Sequence, residues 1–139
     1  RLWEVFLREK LEYTWDEVHD IAEQLEHIKH PELADRLDKF LGYPAFDPHG
    51  DPIPDKKGRI PDSAAILLAE GSLKKKYRLV GVANHSSSFL QLLDKMKLAI
   101  NDTITITEVQ DFDRSMTAVV NGKHRVVLSA AVSRNLLVA

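Results

Sequence analysis

The sequence predicts an α+β protein in two parts, a three-helix unit followed by a small antiparallel β-barrel. Three observations carry this. Apolar residues recur at helical spacing over residues 1–42. Four of the six prolines then fall within residues 43–54. Beyond residue 72 the pattern changes to short alternating runs separated by turn signals.

Leu2, Trp3, Phe6, Leu7 and Leu11 make one apolar stripe, which predicts a first helix over 1–12. Thr14 reads as the N-cap of a second helix, with Asp16 and Glu17 in the first turn, where the backbone dipole favours acids. That helix is expected to run to about Lys29. Pro31 suits the first position of a third helix. Leu33, Leu37, Phe40 and Leu41 give it an apolar face, and Gly42 ends it. The proline-rich segment that follows can be neither helix nor central strand. It reads as a rigid, extended connector, continued by the polar loop 55–59.

In the second half, residues 77–83 read as a strand and residues 86–97 as a short helix with Phe89, Leu92, Leu93 and Met96 inward. Residues 103–107 alternate strictly, as a half-buried strand does. Residues 115–120 and 124–128 flank Asn121-Gly122, a strong hairpin signal. A single helical turn over 130–134 and a last strand over 136–138 complete the pattern. Five short strands in so short a stretch predict a partly open barrel of SH3-like type. The expected organisation is a helical domain over 1–55, a linker over 56–71 and the barrel over 72–139.

At 139 residues the chain is one medium domain or two small ones, and 44% hydrophobic residues suffice for a packed core. A formal net charge of -2 gives no polycationic footprint for nucleic acid. With no cysteine, disulfides, zinc knuckles and thiol chemistry are excluded. No apolar run approaches the ~20 residues of a membrane span, and no signal peptide is visible. A cytoplasmic protein without membrane contact is expected. Arg1 through Leu7 reads as the middle of a helix with nothing to cap it, so a fragment lacking its N-terminal part is expected.

The chemistry concentrates in the second helix. At about 100° per residue, His19, Glu23, Glu26 and His27 share one arc, while Val18, Ile21, Ala22, Leu25 and Ile28 form a separate apolar face. Two imidazoles and two carboxylates on one face suit a divalent metal of the Mn, Fe, Co or Zn kind. The bland alternative is a solvated face with i,i+4 pairing. His30, His49 and His124 read as turn or surface residues, and Lys74 to Lys76 as a solvated run too short to argue for DNA. No enzyme is expected. The two histidines of the arc are eight residues apart, not four as in zinc metalloproteases, and no Glu-x-x-His pair or nucleophile elbow is present. Apolar residues in so small a helical unit favour a shared dimer face.

Three stretches resemble the diphtheria-toxin-repressor family of iron- and manganese-dependent transcriptional regulators. They are Arg1-Leu-Trp-Glu4-Val-Phe-Leu7, Trp15-Asp-Glu-Val-His19 through Glu26-His27, and Asp47-Pro-His-Gly-Asp-Pro-Ile-Pro54. The barrel half resembles the family's C-terminal domain, also known from small ferrous-iron transport proteins, through its pattern and Ser88-Phe-Leu-Gln-Leu-Leu-Asp94.

The resemblance implies the metal-sensing and homodimerising portion of a repressor controlling metal-homeostasis genes. Operator DNA would be bound by an N-terminal winged helix outside this sequence, not by these residues. It also implies a primary metal site at Glu23, Glu26 and His27 and an ancillary site at Glu4 and His19, with His85 and the poorer donor Ser88 as candidate contributions from the barrel. The cofactor implied is Mn2+ or Fe2+, with Co2+, Ni2+ or Zn2+ as substitutes in vitro. Glu23 stands where some iron-responsive members have cysteine, and a carboxylate is the harder donor. The competing reading is a non-regulatory metal-binding or protein-interaction module built on an SH3-like barrel.

Overall fold

The computed structural model describes residues 1–61 and 64–139. The chain divides into two compact units, Arg1–Ser63 and Ala64–Ala139. The first is helical and the second is built on a sheet, so the α+β expectation is met.

The helical unit contains α1 (Leu2–Glu9), α2 (Val18–Leu25) and α3 (Leu33–Phe40). Leu7, Val18 and Ala22 form its core, with Trp3, Phe6, Ile21 and Leu25 partly buried around them. Trp3 meets Phe6 edge-on at 5.8 Å, and Phe6 meets Phe40 at 6.3 Å. The residue before α2 is Glu17, and the Thr14 hydroxyl donates to Asp16 Oδ1 at 2.6 Å, so the side-chain cap expected of Thr14 is not formed. Its N–H is held by the Glu17 carboxylate at 3.4 Å, and its carbonyl takes the N–H of Glu17 and Val18. Only a turn precedes α2 proper.

Two further expectations fail in this unit. The second helix stops at Leu25 rather than Lys29, and Glu26 and His27 lie in the turn beyond it. There the N–H of Ile28 bonds the Leu25 carbonyl three residues back, the tighter spacing of a closing turn. Pro31 favours extended backbone at His30, which works against continued helix. The proline-rich segment is also not extended. Phe46 bridges Pro52, the Asp47 N–H bonds the Asp51 carbonyl at 2.9 Å, and the Ile53 N–H bonds the Ala45 carbonyl at 2.8 Å. The reversal is possible because Gly50 adopts φ +86 and because Asp47 Oδ1 gathers the N–H groups of His49 and Asp51. Proline excluded regular structure here but not a closed loop.

The second unit is a six-stranded antiparallel sheet in the order β1-β6-β2-β3-β4-β5. Its strands are β1 (Ile66–Leu67), β2 (Lys76–Val82), β3 (Thr103–Val109), β4 (Met116–Val120), β5 (His124–Leu128) and β6 (Leu136–Val138). Helices α4 (Ser87–Lys95) and α5 (Ala130–Ser133) are capped by Ser86 and Ser129, whose side chains accept the N–H of Phe89 and Val132. The alternation places Tyr77, Leu79, Ile104, Ile106, Met116, Ala118 and Val120 inward. Asn121 and Gly122 both have positive φ, and the Lys123 N–H closes on the Val120 carbonyl.

The strand not expected is β1, too short to show alternation. It lies in the stretch read as linker, and Leu68 in the 3-10 turn after it is fully buried. Gly71 follows. A Cβ there would lie 3.0 Å from Ile106 Cδ1 and 3.1 Å from the Tyr77 ring, so the backbone packs where no side chain fits.

Candidate metal centre

Glu4 sits in the first turn of α1, where the helix dipole favours a carboxylate, and is 7% exposed. The folded-back loop after α3 brings Asp47 and His49 onto it. These two are 7% and 3% exposed. One ligand atom from each of the three residues lies within 4.8 Å of the others, the one such His/Cys/Asp/Glu group among the described residues. His49 does lie in a turn, as the sequence predicted, but it is buried there rather than on the surface. The Asx turn at Asp47 orients it inward.

The hydrogen bonds fix how His49 presents itself. Its Nε2 lies 2.7 Å from the Trp15 carbonyl, which can only accept, so Nε2 carries a proton. Nδ1 faces Glu4 Oε2 at 3.1 Å. A backbone carbonyl on the far ring nitrogen is the arrangement that orients a metal-binding histidine. Asp47 commits Oδ1 to two backbone N–H groups, which fixes its carboxylate beside Glu4 and His49.

The charges are coupled. Burial works against the His49 imidazolium, but the hydrogen bonds to Glu4 and Trp15 and the nearby carboxylates outweigh it and raise its pKa. Burial also opposes ionisation of Glu4, yet the hydrogen bond from His49 and the surrounding positive charges hold its pKa below the ordinary value. Asp47 is pushed up, first by burial and then by the charges of Asp51 and Glu4, against the Asp51 N–H. Two carboxylates and one imidazole in a buried pocket are a site poised to exchange a proton for a cation. The donors are oxygen and imidazole nitrogen, a set that fits Mn2+ or Fe2+ without demanding a soft ion.

The residues singled out in the sequence divide into two groups. His19 Nδ1 lies 4.0 Å from Glu4 Oε1, with its side chain 70% exposed, so the pair expected at an ancillary site is brought together at the edge of the buried cluster. Glu23 lies exposed on α2, and Glu26 and His27 are exposed in the turn beyond it. Glu26 Oε1 lies 3.3 Å from the Arg1 amine. These three are not drawn into a ligand group. His85, in the loop before α4, directs Nε2 to the Val82 carbonyl at 3.3 Å, and Ser88 Oγ lies 3.4 Å from Ser86 Oγ. Asp47 was missed altogether. The available signal was its spacing from His49, because an Asx turn puts residues i and i+2 on one side of a loop.

Two family models match. The iron dependent repressor metal binding and dimerisation domain covers residues 1–55, and the FeoA domain covers residues 66–139. A solved manganese-dependent transcriptional repressor in complex with manganese superposes with a TM-score of 0.92 at 29% identity, over 100% of this chain and 66% of that one. The metal-dependent transcriptional regulator MtsR superposes at 0.83 with 34% identity, over 100% and 67%. A probable metal transport system membrane protein of Chlamydia trachomatis is 41% identical over 56 residues, which is 40% of this chain and 12% of that protein. The chain thus spans about an eighth of that curated relative and about two thirds of the two solved regulators. Among the described residues no helix is long and apolar enough to cross a membrane. The chain belongs to the diphtheria-toxin-repressor-like family of metal-dependent transcriptional regulators, as its metal-binding and dimerisation domain joined to a FeoA domain.

Proposed function

We propose that this chain is the metal-sensing and dimerising portion of a cytoplasmic Mn2+- or Fe2+-dependent transcriptional repressor, without enzymatic activity. The observation that carries the reading is the buried Glu4–Asp47–His49 cluster, whose histidine is oriented by the Trp15 carbonyl. Glu4, Asp47 and His49 hold the first cation, with His19 at its edge and water in the open positions. Glu23, Glu26 and His27 form a second, more open site that gains a ligand from a preceding winged helix. That reverses the order of strength which the family resemblance implied, because burial and pre-orientation favour the loop-built cluster. Metal favours the DNA-competent arrangement because only there do ligands from both domains converge. Operator DNA is bound through the winged helix. Homodimerisation uses the helical unit, where Leu11, Ile28, Phe40 and Tyr43 are exposed apolar residues.

Calorimetry with Mn2+ tests the reading. His49→Ala is expected to abolish the tighter binding event, while unchanged binding would remove the buried cluster as a sensor site. A second reading has one specific support, the relative described as a metal transport system membrane protein. There the same module would respond to metal as part of a transport protein. Metal-dependent binding of operator DNA by the natural protein that carries this chain separates the two readings.

A further inference from the structure

Charge is divided unevenly along the chain. Residues 1–63 hold fifteen Asp and Glu against nine Lys and Arg, whereas residues 64–139 hold ten Lys and Arg against six Asp and Glu. The formal net charge of -2 therefore hides an acidic helical unit and a basic sheet unit.

The sheet register gathers part of that basic charge on one surface. In β2, Tyr77 and Leu79 are buried, so the alternation turns Lys76 and Arg78 outward. The pairing sets Lys76 beside Thr105, Thr105 beside Val119 and Val119 beside Arg125. The next row sets Arg78 beside Thr103. Lys76, Arg78 and Arg125 are exposed, and none makes an ion pair among the described residues. The run Lys74 to Lys76, too short by itself to argue for DNA, is thus extended across the sheet by Arg125, which is distant in sequence.

The acids of this unit lie outside these two rows. Glu108 stands in the row beyond, beside Thr117, and accepts from Gln110 Nε2 at 3.0 Å. Asp102, at the start of β3, accepts from the Ala99 N–H and from Asn121 Nδ2. Asp111 and Asp113 belong to the loop between β3 and β4, where Arg114 lies 3.8 Å from Asp111. Glu70 is in the 3-10 turn and Asp94 in α4.

Neighbouring strands stand about 4.8 Å apart, so three spacings separate Lys76 from Arg125 by about 14 Å. The major groove of B-DNA is ~12 Å wide, so two long cationic side chains at that separation can meet phosphates on its two sides. Threonine hydroxyls also donate to phosphate, and the Thr105 hydroxyl in this row makes no hydrogen bond among the described residues. A lipid surface would need apolar side chains to insert, and between the two cations lie only Thr105 and the half-buried Val119.

We propose that the outer face of β2, β3, β4 and β5 binds the phosphate backbone of double-stranded DNA, without reading sequence, through Lys76, Arg78 and Arg125. This rests on the repressor reading, which makes DNA the neighbour, and adds a contact made by the FeoA domain itself.

Fluorescence anisotropy of a labelled DNA duplex, titrated with the whole 139-residue chain in chelator, tests it. Binding is expected at low salt, equal for a duplex of scrambled sequence, with log affinity falling against log salt at a slope of about -3, as three neutralised phosphates give. Lys76→Gln/Arg125→Gln should weaken it about tenfold or more at the lowest salt and flatten the slope by about two. Lys76→Arg/Arg125→Lys keeps the charge and should bind as the wild type does. Lys95→Gln/Lys97→Gln removes the same charge from exposed positions in and just after α4 and should change neither quantity. Equal losses in the two Gln pairs overturn the proposal, as does a wild-type chain that shows no salt-dependent binding. Polyglutamate or phosphatidylglycerol vesicles bound as tightly as DNA overturn DNA as the partner. Circular dichroism verifies that each variant is folded. The sensor reading fails separately, in the Mn2+ titration of the same chain.

Discussion

Two sets of metal-competent side chains share the helical unit and differ in how much of their geometry is already in place. Glu4, Asp47 and His49 are buried, with His49 held at both ring nitrogens and Asp47 by two backbone N–H groups. Glu23, Glu26 and His27 carry similar donors but stand exposed on the end of α2 and in the turn after it. The first set has already met its desolvation and ordering costs during folding, and the second must meet them when a ligand binds. On the reading proposed above, the preformed set would retain a cation, whereas the unfinished one would report whether another segment has arrived. The difference lies in the backbone that delivers the side chains, a closed loop in one case and a fraying helix end in the other.

The largest expected effect comes from His49→Ala. It leaves the buried Glu4 without its nearest and only buried partner, so besides losing metal the chelator-treated protein should lose about 3–5 kcal/mol of stability, the range for breaking a buried ion pair. Urea unfolding in chelator checks this, and a loss below about 1 kcal/mol would mean that the pair is not a structural element. Next in size is the pH dependence. His49 has a raised pKa, so its pairing with Glu4 is fully present below the unfolded value near ~6.5 and is lost as pH rises through the raised folded value. Glu4 has a lowered pKa, so its contribution is present above the ordinary carboxylate range and is lost as pH falls through the lowered value. Metal competes with the His49 proton. Affinity at the buried cluster should therefore start to fall, on acidification, at a higher pH than for an ordinary histidine, with proton release on binding. Titrations in buffers of different ionisation enthalpy measure that release.

The legible part of the molecule follows local periodicity. Leu2 through Leu7, the alternation of Thr103 to Thr107, the Asn121-Gly122 turn and the short helix that follows Ser86 each carry their conformation in neighbouring residues, and each formed as expected. The less legible part depends on contacts distant in sequence. His49 is a loop histidine until Trp15, 34 residues away, takes its Nε2–H. Asp47 becomes a ligand candidate only when the loop closes on Glu4. The strand Ile66–Leu67 exists because β6 pairs with it, and two residues show no pattern of their own. Glu4 and His19 were paired only by the family resemblance, since neither helix's own pattern links them, and His19 Nδ1 lies 4.0 Å from Glu4 Oε1.

Two smaller effects sharpen the contrast. Asp47→Cys and Glu23→Cys each replace a hard donor with a thiolate, which should shift preference from Mn2+ toward Zn2+ or Co2+. The shift should be greater at the buried position, where backbone hydrogen bonds already orient the side chain that is replaced. Competition between Mn2+ and Co2+ in each variant reads this directly, and a larger shift for Glu23→Cys would invert the assignment. The smallest effect is that of His27→Ala on stability. An exposed turn residue should change it by no more than about 0.5 kcal/mol, so the variant reports on metal binding alone. Thermal unfolding in chelator checks it.

The most direct measurement is a Mn2+ titration of the 139-residue chain, counting free Mn2+ by its EPR signal, for the wild type, His49→Ala and His27→Ala. The wild type should show a tighter site and a weaker one. His49→Ala should lose the tighter site, and His27→Ala should keep it while losing the weaker. If His49→Ala leaves the tighter site intact and His27→Ala removes it, the preformed cluster is not where this chain holds its metal.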